Sequence, residues 1–270
     1  MRSVSAMCSS SLMLSRMAQV TAVWCALIAL LFSIRPALAV HPLTVDDADT
    51  VAAGHLQLNA GWQFTDFTRA SHHALAVNPV LGLTPRGEFG ATFGGQWLAE
   101  KGDDEPTAHA SGMTDLTLAT KWRLWQTASE RFRVAARLDL KLPTASEADG
   151  LGTGHTDLGG VVIATGTWGR TSLDWNFGYT ANAIAEGGTT DDFWFAGQAV
   201  RHELSQRWTL LGEVYALLPT GGGDTETHVF FSGGAQFKVR ENLLISALVG
   251  SAGGSESPNF TSQLGFTWEF

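Results

Sequence analysis

Cysteine is almost missing from this chain. The 270 residues hold two, Cys8 and Cys25, both near the N-terminus. Nothing downstream can be stapled by a disulfide, so the fold must hold itself by pairing and packing. Cys25 lacks the small residues that precede the cysteine of a lipoprotein signal, so it is not read as a lipid anchor. Charged residues are scarce at 16%, and the basic ones are the scarcer, 17 Lys and Arg against 26 Asp and Glu. A surface short of cations excludes nucleic acid as a partner. After Ala39 no apolar run approaches the ~20 residues of a membrane helix. Yet 44% of the residues are hydrophobic, and glycine is plentiful at 30. Apolar content without apolar runs points to strands whose side chains alternate.

The N-terminus is a separate matter. Arg2 and Arg16 precede an apolar run from Ala18 to Phe32, followed by Arg35-Pro36 and Ala37-Leu38-Ala39. This is the layout of a secretory signal peptide with a small-residue cleavage site. Residues 1–39 are therefore expected to be a cleaved signal, with Met7, Met13 or Met17 as alternative starts. Removing Arg2, Arg16 and Arg35 leaves 14 Lys and Arg against 26 Asp and Glu, a net charge of −12.

The rest of the chain alternates with period 2. Phe132, Val134, Ala136, Leu138, Leu140 and Leu142 share one face, opposite Arg131, Arg133, Arg137, Asp139 and Lys141. The same rhythm runs through Leu56–Phe64, Glu88–Gly94, Asp115–Leu124, Leu173–Thr180, His228–Lys238 and Asn259–Phe270. Weaker strands are placed near His73–Leu83, Thr156–Trp168, Asp192–Leu204, Trp208–Leu218 and Leu243–Ser251. The facing of Thr156–Trp168 and Asp192–Leu204 is ambiguous, because Gly, Ala and Val occur at both parities. The tally is about 12 strands, an even number. Short connections (Thr84–Gly87, Trp125–Glu130, Gly169–Arg170, Ser205–Arg207, Val239–Asn242) alternate with longer ones (Ala99–Ser111, Pro143–Gly154, Ala185–Asp191, Pro219–Glu226, Ala252–Pro258) after a modest first loop near Thr68–His72.

These features predict an all-β fold: a transmembrane antiparallel up-and-down β-barrel over residues 55–270, with short periplasmic turns and longer outer loops. Lipid forces closure, because no strand edge can stay unpaired there. The last strand must therefore pair with Leu56–Phe64. Trp122, Phe132, Trp168, Trp208, Phe237, Trp268 and Phe270 fall at the short-turn ends, and Phe64, Trp97, Tyr179, Phe193 and Phe260 at the long-loop ends. Two interfacial girdles explain both groups. Phe266, Trp268 and Phe270 also form the C-terminal pattern expected to be read by the barrel-assembly machinery.

With apolar faces toward outer-membrane lipid, the lumen should be polar. Its candidates are Asp115, Lys121, Arg123, Arg133, Arg137, Asp139, Lys141, Asp174, Asn176 and Glu213. Gln236 and Lys238 share that parity. Such charges either select a small-molecule solute or brace the wall as a balanced network. If Leu124 sits opposite Phe132, then Asp115 faces Lys141 and Arg123 faces Arg133. Residues 40–54, with Asp46, Asp47 and Asp49, either hang in the periplasm or enter the lumen as a small plug.

Other chemistry has little footing. The histidines (His41, His55, His72, His73, His109, His155, His202, His228) lack metal spacing, with His72-His73 read as a loop pair. Asp103-Asp104-Glu105 reads as a solvated loop rather than a metal site. There is no nucleophile elbow near Ser255 or Ser257, and the glycines at 152, 154 and 221–223 open no helix. The expectation is no enzyme, no metal and no cofactor.

Several stretches carry a resemblance. His41-Pro42-Leu43-Thr44-x-Asp46-Asp47 leads to Gly54-x-x-Gln57-Leu58. Gly112-Met113-x-Asp115-Leu116 runs to Lys121-Trp122-Arg123-Leu124. Lys141-Leu142-Pro143-Thr144 is followed by Gly150-Leu151-Gly152-x-Gly154-x-Thr156-Asp157, and Gly212-Glu213-Val214-Tyr215 comes later. Together these resemble a broad family of outer-membrane transporters grouped as the meta-pathway phenol-degradation family. The resemblance implies a barrel that passes aromatic or other small hydrophobic compounds passively, with no settled binding residues. The alternative is a structural or interaction barrel whose lumen is closed and whose loops meet partners.

Overall fold

The computed structural model describes residues 43–101, 106–182, 192–220, 227–254 and 257–270. The signal-peptide stretch, Asp103-Asp104-Glu105, residues 185–191 and 221–226, and Ser255 lie outside those residues. The structure is all-β. Its strands are β1 (Leu56–Asp66), β2 (Ala70–Thr84), β3 (Gly87–Lys101), β4 (Pro106–Met113), β5 (Leu116–Gln126), β6 (Phe132–Leu142), β7 (Asp157–Trp168), β8 (Thr171–Ala181), β9 (Phe193–Glu203), β10 (Trp208–Pro219), β11 (His228–Arg240), β12 (Leu243–Gly253) and β13 (Phe260–Glu269).

Neighbours in sequence are neighbours in the sheet, all antiparallel, and the sheet closes on itself. The closing ladder runs from Gln57↔Glu269 to Asp66↔Phe260. This is the closure that lipid requires, since any open edge would leave backbone groups unpaired. The sheet has thirteen segments but twelve staves. β4 and β5 follow one another along β3, which pairs Gly95↔Met113 on one side of a break and Thr92↔Thr117 on the other. The register slips by one residue at Thr114-Asp115, a bulge in a single stave. Thr114 N still donates to Gly94 O at 3.0 Å across it. Eleven residues at ~3.3 Å each, tilted by ~40°, cover the ~25 Å apolar band of an outer membrane.

Alternation sorts the faces. Leu138, Val162, Phe177, Phe231, Val249 and Leu264 each expose more than half of their surface on the outside. In water this would be a liability; in lipid it is the solvated face. Trp122, Phe132, Trp168, Trp208, Trp268 and Phe270 are exposed near the short-turn end. Phe132 meets Trp168 edge-on at 5.2 Å, and Trp208 packs on Phe237 at 4.7 Å. At the other end Trp97 and Phe260 are exposed. On β9 the exposed aromatic is Trp194, stacked with Phe177 at 5.2 Å, rather than its neighbour Phe193.

Three local expectations are corrected. Lys141 pairs with Thr117 rather than Asp115, and Arg123 with Ala135 rather than Arg133. The turn is tighter than assumed, because the ladder runs on to Gln126↔Arg133: Thr127 N bonds Phe132 O and Glu130 N bonds Thr127 O, with Glu130 in the left-handed region at φ 56°. Leu124 is moreover a bulge between the pairs Arg123↔Ala135 and Trp125↔Val134. The bulge turns Trp125 outward beside Leu124, 55% and 60% exposed. His72 and His73 lie on β2, not in a loop, because Phe67 N bonds Ala70 O and closes the first turn early. Their rings go to opposite faces: His72 meets Gln96 inside, and His73 packs between Trp62 and Phe64 outside. The third correction concerns the lumen wall, which is not uniformly polar.

Candidate functional site

Residues 43–54 run inside the barrel, from the outer half down to the start of β1 at the short-turn end. Their backbone is bound by wall side chains. Val45 N donates to Glu213 Oε2 at 2.9 Å. Asn176 takes Asp46 from both sides, accepting from its N at 2.9 Å and donating to its O at 2.7 Å. Ala48 N donates to Thr165 Oγ1 at 2.9 Å, and Val51 N to Glu88 Oε2 at 2.6 Å. A single non-sheet chain inside a barrel has no ladder of its own, so its polar groups must find such partners.

The segment leaves the lumen where the wall is cut back. At Gly82 on β2 a Cβ would stand 2.0 Å from Ala52 O. At Gly197 on β9 it would stand 2.6 Å from Val45 Cγ2. Only glycine lets the segment approach the wall this closely at those two points.

Its side chains divide the lumen into two chemistries. Toward β9–β12, Leu43 and Val45 are buried in a cluster with Ala199, Leu211, Tyr215 and Leu248, against which Phe195 and Phe230 pack. Tyr215 stacks on Phe230 at 4.6 Å and lies 5.7 Å from Phe195. Toward β5–β9 lies an arc of five cations, and the three aspartates of the segment meet all of them. Asp46 pairs with Lys121 at 3.2 Å and Arg137 at 2.9 Å. Asp47 pairs with Arg201 at 2.9 Å. One oxygen of Asp49 lies 2.9 Å from Arg133 Nε and 3.8 Å from Arg123 Nη1. Between the two chemistries Ala48 is buried on Ala135 and Ile163.

The wall supplies part of the balance. Glu88 lies 3.3 Å from Lys121, Asp139 3.0 Å from Arg137, and Asp174 2.9 Å from Arg201. Asp174 also accepts from Thr165 at 2.7 Å. Glu213 accepts from Ser232 at 2.9 Å as well as from Val45. Charges held this far from bulk water require such networks.

Asp115 and Lys141 sit apart from this arc, at the outer mouth. Asp115 lies at the β4/β5 break, accepts from Ala145 N at 2.9 Å and lies 3.7 Å from Lys141. Lys141 also pairs closely with Asp157 and donates to Thr153 at 2.7 Å. These contacts fold the loop between β6 and β7 inward. Leu151 is buried there, and its O accepts from Gln96 at 2.7 Å.

Sequence reasoning did not single out Arg201, Glu88, Thr165 or the apolar wall. Arg201 follows the buried Ala199 at the same parity, on a strand whose facing the sequence left open. Val161 and Ile163 point inward on the other ambiguous strand and pack with Ala48. The faces blur because an apolar object sits inside.

A closed twelve-stave barrel with a lipid-facing apolar belt, two aromatic girdles and a polar network inside is an outer-membrane β-barrel. The chain belongs to the family described as the MetA-pathway of phenol degradation, whose model matches residues 41–270. It is similar to the COG4313 outer membrane channel from Pseudomonas putida F1, at 14% identity and TM-score 0.65, covering 83% of this chain and 98% of that one. It is also similar to the translocator domain of the autotransporter NalP from Neisseria meningitidis, at 14% identity and TM-score 0.52, covering 83% and 91%. The KdgM porin, solved with disordered oligogalacturonate, follows at 9% identity and TM-score 0.52, covering 78% and 98%. No curated protein matches the sequence. At these identities the structures establish the shared barrel.

Proposed function

We propose that this barrel is a passive outer-membrane conduit for small solutes, aromatic or otherwise apolar, with residues 43–54 as a lumenal plug that narrows it. The observation that carries this reading is the inner wall itself. A water-filled porin has a polar lumen. Here Phe195, Leu211, Tyr215, Leu217, Phe230 and Leu248 form an apolar track on one side of the lumen, covered in part at rest by Leu43 and Val45 of the plug. Such a lining favours solutes that gain by leaving water, at ~25 cal/mol per Å² of apolar surface. The plug is bound to the wall at Val45, Asp46, Ala48 and Val51 and so narrows the lumen, which favours a small solute. The family's phenol-degradation link and the channel function named for the Pseudomonas putida relative agree with it.

One observation favours the second reading, a structural barrel with a closed lumen: the plug touches the wall along its whole length. Reconstitution separates the two. Folded protein in liposomes should pass a neutral probe such as benzyl alcohol faster than protein-free liposomes do, and planar bilayers should show small discrete conductance steps. A folded barrel, confirmed by heat-modifiable migration, that is silent in both assays sinks the conduit and leaves the closed barrel. The solute path calls for no catalytic group, no metal and no cofactor. Residues 1–39 are proposed to be removed on export, and the C-terminal aromatics to serve assembly.

A further inference from the structure

Arg123 and Arg133 differ from the other three cations of the lumen. Lys121, Arg137 and Arg201 each have a wall carboxylate as well as a plug aspartate. Arg123 and Arg133 have no wall carboxylate within ion-pair distance among the described residues; both rely on Asp49. With the plug aspartates in place the arc meets six carboxylates with five cations. Without them it is left with Glu88, Asp139 and Asp174, and the surplus of positive charge lies at Arg123 and Arg133.

Both guanidiniums are anchored by neutral oxygens of the wall. Arg123 Nη2 donates to Pro85 O at 2.7 Å. Arg133 Nη1 donates to Glu130 O at 2.9 Å and Nη2 to Thr167 Oγ1 at 3.2 Å. Arg133 Nε and Arg123 Nη1 approach Asp49, and Asp49 serves them badly. A single oxygen is shared between the two, at 2.9 and 3.8 Å. The Nε of each is buried with no well-formed hydrogen bond. Two fixed guanidiniums flanking one point are matched by a carboxylate that gives an oxygen to each. Asp49 does not do so: the same oxygen makes the nearest approach to both guanidiniums, and its N donates to Asp47 Oδ1 at 2.9 Å. An apolar wall adjoins the pair: Ala135 is two residues from Arg133 on the same face of β6, and Ile163 lies opposite Ala135.

We propose that Arg123 and Arg133 form a carboxylate seat on the inner side of the lumen, held at rest by Asp49 and taken over by the carboxylate of a small amphipathic solute, such as an aromatic monocarboxylate, on its way to the periplasm. This deepens the conduit reading and rests on it for the direction of travel. The apolar track above would carry the ring; the seat receives the acid group after it. The exchange replaces one carboxylate by another, so it leaves no guanidinium uncovered and costs little charge separation.

The test uses the whole folded barrel in detergent and in liposomes, with benzoate as probe and benzamide and benzyl alcohol as neutral comparators. Calorimetry should show benzoate binding with benzamide silent. Asp49→Asn removes the competing carboxylate and should tighten benzoate about tenfold, the size of one charge-assisted contact. Arg133→Gln and Arg123→Gln should each weaken it by a similar factor or more. Asp49→Asn adds no bulk and is expected to fold, so the prediction stands even where an arginine variant misfolds. Benzyl alcohol flux without benzoate binding, or benzoate binding indifferent to Asp49→Asn, overturns the seat and leaves the conduit intact. Benzoate binding that responds to Asp49→Asn while no probe crosses the liposome supports the seat and overturns the conduit.

Discussion

Replacing Asp46 by Asn should loosen the plug more than any other single charge removal within it. The side chain is 15% exposed and meets Lys121 and Arg137, themselves 9% and 22% exposed. Asn keeps the shape and leaves the backbone bonds to Asn176 in place. What is lost is the charge. Removing one partner of a buried pair costs about 3–5 kcal/mol when the other is left uncompensated. Here compensation remains, because Lys121 keeps Glu88 and Arg137 keeps Asp139. The cost should therefore be reduced to ~2–3 kcal/mol, which multiplies the plug-out population by about 30 to 150. Asp47→Asn offers an internal comparison. Its partner Arg201 keeps a two-point contact with Asp174, at 2.9 and 3.1 Å, so the loss should be ~1 kcal/mol, or about fivefold. Single-channel recording in planar bilayers reads both as the fraction of time in a high-conductance state. The difference from wild type should shrink in molar salt to the extent that the arc is wetted, because the Debye length falls to ~3 Å. An Asp46→Asn barrel that gates like wild type, or an Asp47→Asn barrel that opens more, refutes the ranking and with it the role given to the ion pairs.

Three further outcomes follow from local geometry. Gly82→Val places side-chain atoms where Ala52 O stands 2.0 Å from a Cβ, so the plug's exit must move; the variant should fold with normal heat-modifiable migration but show raised conductance or protease access to residues 43–54. Glu130→Gly relieves a left-handed residue at φ 56° that carries a side chain, and should raise the midpoint of urea unfolding in micelles by the equivalent of ~0.5–1 kcal/mol. Deleting Phe270, whose ring packs tilted at 4.4 Å on Trp268 and whose N bonds Leu56 O at 2.8 Å, should lower the yield of assembled barrel in the outer membrane; an unchanged heat-modifiable band would count against its proposed part in assembly.

The barrel was legible in the sequence because lipid imposes a strict rule on the chain inside it. Every backbone group must be paired, and the outward side chains are predominantly apolar. Strands such as Phe132–Leu142 and Phe260–Glu269 therefore carry plain alternation, and the closing pair could be placed against Leu56–Phe64. Register was less legible. It depends on where extra residues are absorbed, and a bulge leaves no mark in composition. Leu124 is apolar and sits at the expected parity, so only the outward turn of Trp125 after it betrays the slip. The interruption at Thr114-Asp115 is similarly silent.

The lumen fails the alternation rule for a reason that is itself functional. An inward position needs a polar side chain only if it faces water. Ile163 and Ala135 face Ala48, and Leu211, Tyr215 and Leu248 face Leu43 and Val45. Opposite them the same short segment presents Asp46, Asp47 and Asp49 to the cations. The plug is thus an amphipathic strip, apolar on one side and anionic on the other, and the wall is its complement. A strand whose two faces both look apolar, inside a barrel that otherwise alternates, marks the part of the wall that touches something other than water. On that argument the ambiguity at Thr156–Trp168 and Asp192–Leu204 was the sequence's one pointer to an object in the lumen, and the aspartates ahead of Leu56 were the part of that object already in view.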